Sequence, residues 1–327
     1  MNSKKGVIEV QFNWVFILIA GVLILLFFGS IVLKLKSNSD TTISNTILTN
    51  MQTIMAGAEV SSNTVTPISI PDTKIEVSCD SISVGSITSD ITKNKIVFAP
   101  EIIEGRTMLT WSLPWGFPYH ISNFLYMTTP NFKYIIVDST KGKEIYYKLP
   151  QGLTKQLVDK NSLSDLSNSG HKLAFVFFND PEPDQASLPY FLENMKDNEV
   201  IAINIDSGNN KISFYQYKKS LKNFEYFSDA PYLGDEMIIG AMFSGDAKNY
   251  ICNLEKALKK MEIVSMVYAE RTEELQRIFH SNPSCFYTIT PFEIDYSLNN
   301  IDAIIDSKRD LEIRNENLQK ASCPTLY

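Results

Sequence analysis

The residues able to carry chemistry are few and scattered. There are three histidines, His120, His171 and His280, and they stand far apart in the chain. No H-E-x-x-H, G-x-S-x-G, Walker A or G-x-G-x-x-G pattern surrounds any of them. His280 falls at the end of a helical pattern, where an imidazole serves the last carbonyls. Two acids stand out by position. Asp138 follows the apolar run YIIV, and Asp180 follows LAFVFF. Carboxylates at the ends of neighbouring strands can hold a metal in α/β folds, although such acids more often open a turn. The turn Asp206 to Asn210 lacks the spacing and glutamate of an EF-hand. No catalytic residue, metal ligand set or cofactor is assigned, and a non-enzymatic role is favoured.

Four cysteines remain: Cys79, Cys252, Cys285 and Cys323. None forms a C-x2-C pair, so a cysteine zinc site has no basis in spacing. An even number fits two disulfides in an oxidising compartment; four unpaired buried thiols are the alternative. Cys252 opens a long helical pattern and Cys285 follows it. An unbroken helix would hold them roughly 40 Å apart, beyond disulfide reach. Antiparallel packing of the last two helices would bring Cys323 back to Cys252. The expected pairs are therefore Cys252–Cys323 and Cys79–Cys285, with Cys285–Cys323 as the alternative.

The aromatics concentrate between Trp111 and Pro130. Trp111, Trp115, Phe117 and Tyr119, followed by Phe124 and Tyr126, would be a candidate binding patch if exposed, and core if not. The proline content predicts a long ordered loop or broken helix there.

The elements around these residues read as follows. Short alternating segments (Ile75, Val77 and Cys79; Ile82 and Val84; Lys95 to Ala99; Met108 to Trp111) predict a small β-rich region over 60–130. It begins with a Ser/Thr/Pro linker at 60–73. Region 131–245 alternates strand and helix signals. Tyr134 to Val137, Ile145 to Leu149, Leu173 to Phe178, Val200 to Ile205, Lys211 to Tyr217 and Glu236 to Phe243 read as strands. Gly152 to Leu166 and Asp184 to Met195 read as helices. Strand-helix-strand order predicts an α/β core with an antiparallel hairpin. Region 246–327 is helical. Asp246 caps a helix to about Phe279, and a second runs from Ile301 to Ala321. The fold class is thus α+β or α/β, a mixed sheet with flanking helices and a C-terminal long helical hairpin.

The N-terminal segment is different. Trp14 to Leu33 is 20 residues without a charge. As a helix it matches a bilayer core of about 30 Å, so we expect a transmembrane helix at 13–36 after a short basic leader at 1–12. Lys4 and Lys5 before it and Lys34 and Lys36 after it nearly balance. The cysteines then set the direction: N-terminus cytoplasmic, domain extracytoplasmic, single-pass in a cell membrane, with the lipid bilayer as a partner. Residues 37–59 continue as an amphipathic stalk helix, with Ile43, Ile47, Met51, Ile54, Met55 and Ala58 on one face. Net charge is -7 and no long basic block exists, so nucleic acid is excluded as a partner.

The start, MNSKKG followed by VIEVQFNW and the apolar run, resembles the class III signal peptides of type IV pilin-like proteins, archaeal ones especially. In that family a prepilin peptidase cuts after a Lys-Gly or Arg-Gly pair, and the apolar segment stays on the mature subunit. The resemblance places the processing site at Lys5 and Gly6, with cleavage before Val7 and Glu9 as the acidic residue beyond it. The family often has Gln directly after the glycine and Glu at the fifth mature position. Here Val7 and Gln11 stand there. The resemblance implies an envelope assembly component whose partners are other copies of itself or pilin-like subunits. Alternatives from the residues alone are a membrane-tethered enzyme using Asp138 and Asp180, or a ligand-binding ectodomain using the aromatic segment.

Overall fold

A computed structural model describes residues 6–60, 65–70, 73–91, 95–167, 170–181, 183 and 188–327, and within these leaves out the side chains of 6–17, 35, 37–40 and 58–60. The chain opens with one continuous helix, α1 (Gly6–Val60), of 55 residues. At 1.5 Å per residue it is about 80 Å long. Its second half is docked: Ile47, Met51 and Met55 of the expected stalk face are buried, together with Leu48, which lies outside that face, while Ile43 is exposed.

Three sheets follow. The first, in the order β1-β7-β8-β5, contains β1 (Val65–Ser69), β5 (Val97–Phe98), β7 (Thr107–Gly116) and β8 (His120–Thr128). The second is small and reads β4-β3-β2-β6: β2 (Ile75–Val77), β3 (Ser81–Val84), β4 (Ile87–Asp90) and β6 (Ile102–Ile103). Met51 and its neighbours on α1 fill the space between these two sheets, against Ile75, Ile82, Met108, Leu125 and Met127.

The third sheet has six strands, β10-β9-β11-β12-β13-β14. They are β9 (Phe132–Val137), β10 (Thr154–Val158), β11 (Lys172–Phe178), β12 (Val200–Asp206), β13 (Lys211–Lys218) and β14 (Asn223–Pro231). The first four strands are parallel, and β13 and β14 add an antiparallel hairpin. β11 is LAFVFF because it is covered on both faces, and such strands read as unbroken apolar runs. The β12–β13 turn is set by Asp206, whose carboxylate accepts from the backbone of Gly208 and Asn209.

Two helices, α3 (Asp235–Ser244) and α4 (Ala247–Phe279), lie between the six-stranded sheet and the first sheet. α3 is buried along most of its length and approaches β5 closely at Gly240, where a Cβ would lie 2.9 Å from the Phe98 ring. Helix α2 (Thr140–Lys148) flanks the parallel edge, and α5 (Ile301–Lys320) closes the chain.

Several expectations are corrected here. Among the described residues no helix is long and apolar enough to cross a membrane. The transmembrane anchor, the single-pass topology with its cytoplasmic N-terminus and extracytoplasmic domain, and the lipid bilayer partner are withdrawn on that finding. The fold is a mixed α/β domain with several helices and sheets. Trp111 to Pro130 is neither loop nor broken helix. It is the β7–β8 hairpin, turned through a cis Phe117–Pro118 peptide. Glu236 to Phe243 is helix α3, and Ile145 to Leu149 belongs largely to α2. A short apolar run fits a buried strand or a buried helix equally well, and the left-handed Gly245 (φ 69°) that ends α3 is the local sign that separates them. Gly152 to Leu166 holds β10 and a 3-10 turn, the 60–73 linker contains β1, and the helix expected over Asp184 to Met195 is a 3-10 turn at Tyr190–Asn194, with 184–187 outside the described residues.

Candidate functional site

The expected chemistry does not assemble. His120 and His280 are exposed in separate elements, and His280 binds the Arg277 carbonyl of its own helix at 3.1 Å. Asp138 pairs with Lys143 at 3.0 Å, and Asp180 with Lys160 at 2.6 Å. Each carboxylate is thus neutralised by its own lysine. Among the described residues one cluster of side chains has metal-ligand proximity, Cys79 with Asp80 and Cys252. Its two sulfurs are spent in a disulfide, and Asp80 pairs with Lys256 at 3.1 Å.

The disulfides are Cys79–Cys252 and Cys285–Cys323. The expected pairs Cys252–Cys323 and Cys79–Cys285 are corrected, and the alternative closure of the C-terminal loop is the one that forms. α4 is unbroken, so Cys252 and Cys285 stay apart as reasoned. The error lay in α5. The connector from 280 to 300 first returns along α4, placing Tyr296 within hydrogen-bonding reach of Ser265. α5 then carries the chain back toward the far end of α4, where Tyr287 Oη donates to the Pro324 carbonyl at 2.8 Å.

The aromatic segment is core. Trp111, Trp115, Phe117 and Tyr119 are each less than 8% exposed, so they form no surface patch. Trp115 stacks on Phe124 at 4.9 Å and donates to the Leu233 carbonyl at 3.0 Å. Tyr126 donates to the Glu236 carbonyl at 2.9 Å, and burial pushes its hydroxyl pKa well up. These bonds fasten the β7–β8 hairpin to the start of α3 and satisfy the polar ends of rings that would otherwise be costly to bury.

Of the processing residues, Lys5 lies outside the described residues. α1 begins at Gly6, and the side chains of Val7 and Glu9 lie outside the description. The chain matches no protein-family model, no curated protein and no solved structure.

Two features remain with functional potential. The first is the undocked half of α1. Leu18, Leu23, Leu25, Leu26, Phe27, Phe28, Val32 and Leu33 are each 59% exposed or more. Apolar side chains occupy every side of this stretch, and Ser30 turns its hydroxyl back to the Phe27 carbonyl at 2.8 Å. A helix that is apolar all round is one that is covered all round in its working state. The second feature is a groove of about 230 Å³ at the α3–α4 junction, bounded by Ile201, Phe214, Phe227, Ser244 and Asp246. Sequence reasoning missed it, because its residues come from seven separated stretches of chain.

Proposed function

We propose that this chain is a type IV pilin-like assembly subunit, in which the undocked half of α1 packs against the same helix of other copies. The observation that carries this is the division of one helix into two parts. From Ser44 to Met55 it is anchored in the head through one face, and from Leu18 to Leu33 it projects with apolar residues on all sides. A one-sided apolar stripe is served by one partner. An apolar surface on all sides needs several neighbours, which a bundle of identical helices supplies. The resemblance of the leader around Lys5, Gly6 and Val7 supports the same reading, since removal of the basic leader leaves the apolar helix at the mature end.

The mature N-terminus of the native protein tests the processing step. A start at Val7 is expected, and an intact Met1 on assembled protein would overturn it. Assembly is tested with Leu25→Arg. An arginine inside an apolar helix bundle is left without a partner, which is strongly unfavourable. The variant should keep a folded head and fail to form oligomers by chemical cross-linking. Oligomers of unchanged size would refute packing through this stretch.

A further inference from the structure

We propose that the groove at the α3–α4 junction binds a small primary amine carried on an apolar, one-ring body. This is independent of how α1 assembles. At about 230 Å³ the groove lies just below the range of ordinary ligand pockets, about 300–1,000 Å³, so its occupant is small. Its walls are apolar and aromatic: Ile201, Phe214, Phe132 and Phe227. Phe227 is 66% exposed at the rim.

The polar groups point to the ligand's charge. Ser244, at the end of α3, is 2% exposed, and its Oγ has no hydrogen-bond partner. A buried unsatisfied hydroxyl is unfavourable unless something reaches it. Two carboxylates line the same groove, Glu101 and Asp246. Asp246 already accepts from Asn249 N at 2.9 Å, which fills the α4 N-terminus and leaves no place there for an anion. The cations here are largely committed: Lys172, which itself lines the groove, binds Glu104 at 3.2 Å, and Lys74 binds Glu76 at 2.6 Å. Lys248 acts on Asp246 from the exposed side of α4. An ammonium supplies what is missing. It donates to Ser244 Oγ, offsets Glu101 and Asp246, and sits against aromatic faces that favour a cation.

The test is a titration of the full-length chain with three one-ring probes: phenethylamine, neutral 2-phenylethanol and anionic 3-phenylpropionate. Affinities are read by calorimetry and ligand-observed NMR. Phenethylamine should bind about fivefold more tightly than the alcohol, an advantage of the size expected for one cation–π or carboxylate contact. The propionate should bind most weakly. Asp246→Asn keeps the helix cap and the volume, and Glu101→Gln alters an exposed side chain, so both variants should fold. Each should erase most of the preference for amine over alcohol while leaving alcohol binding unchanged. Equal binding of amine and alcohol, tighter binding of the propionate, an undiminished preference in both variants, or no binding of any probe would each overturn the proposal.

Discussion

Cys79 is bonded to Cys252 with their Cα atoms 6.0 Å apart, across 173 residues of sequence. The bond joins the small sheet that embraces α1 to the second turn of α4. Beside it Lys256 donates to the Cys79 carbonyl and pairs with Asp80 at 3.1 Å, so the junction is covalent and ionic at one place. The element that carries the free helix is therefore tied to the central helix of the head.

Removing that tie should be costly to the fold. A crosslink over so long a loop restricts the unfolded chain strongly, which is worth about 5 kcal/mol. The double variant Cys79→Ala/Cys252→Ala should lose stability of that order in chemical denaturation. Removal of Cys285–Cys323, which spans 38 residues, should lose somewhat less. A reversed order would show that native packing, rather than loop closure, sets the contribution of each bond.

The two halves of α1 should respond differently to truncation. Met51 is 1% exposed between two sheets, and Leu25 is 73% exposed. Met51→Ala should destabilise the head by about 3 kcal/mol, the usual result of emptying a buried site. Leu25→Ala should leave the head's denaturation midpoint unchanged. Equal effects in the two would mean that the helix is not divided into docked and free parts.

Gly240 lies inside α3, where alanine would ordinarily stabilise a helix by about 1 kcal/mol. Here the added methyl would meet three carbons of the Phe98 ring at 2.9 Å. Phe98 is itself fully buried against Phe124 and Tyr126 and has little room to retreat. Gly240→Ala should therefore destabilise, by about 1–3 kcal/mol. A higher melting temperature in this variant would show that the α3–β5 contact can open.

Asp246 gives a pH signature. Burial raises its pKa above the ordinary 3.8, against the lowering effect of the Asn249 and Lys248 backbone bonds. The folded state therefore binds this proton more tightly than the unfolded state does. The resulting stability is present in full below the unfolded value and is lost as pH rises through the folded one. Asp246→Asn retains a good cap and has no proton to exchange. Wild-type stability minus variant stability should fall as pH rises from about 4 through the raised value. A difference that is flat across that window would contradict the assignment.

Some of the molecule was legible in the sequence because its signals are local. LAFVFF marks a doubly covered strand, Asp206 to Asn210 a hairpin turn, and Asp246 the cap of a helix ending at Phe279. The i, i+4 recurrence of Ile47, Met51 and Met55 marks the docked face of α1. Each depends on neighbours within a turn or two of chain, where pattern and propensity act. Other features were decided only by the tertiary structure. The run from Met237 to Phe243 is helix rather than strand because two sheets enclose it, and an element covered on all sides carries no periodicity to read. The rings from Trp111 to Tyr126 are core because the hairpin closes on α3 and α4. Cys323 meets Cys285 because the 280–300 connector turns back along α4, a path that no spacing encodes. The groove belongs to this second class. Glu101, Ile201, Phe214, Phe227 and Ser244 meet only when sheet and helices are assembled. A site made of long-range contacts leaves no short motif, whereas the 20 uncharged residues from Trp14 to Leu33 are plain in the sequence.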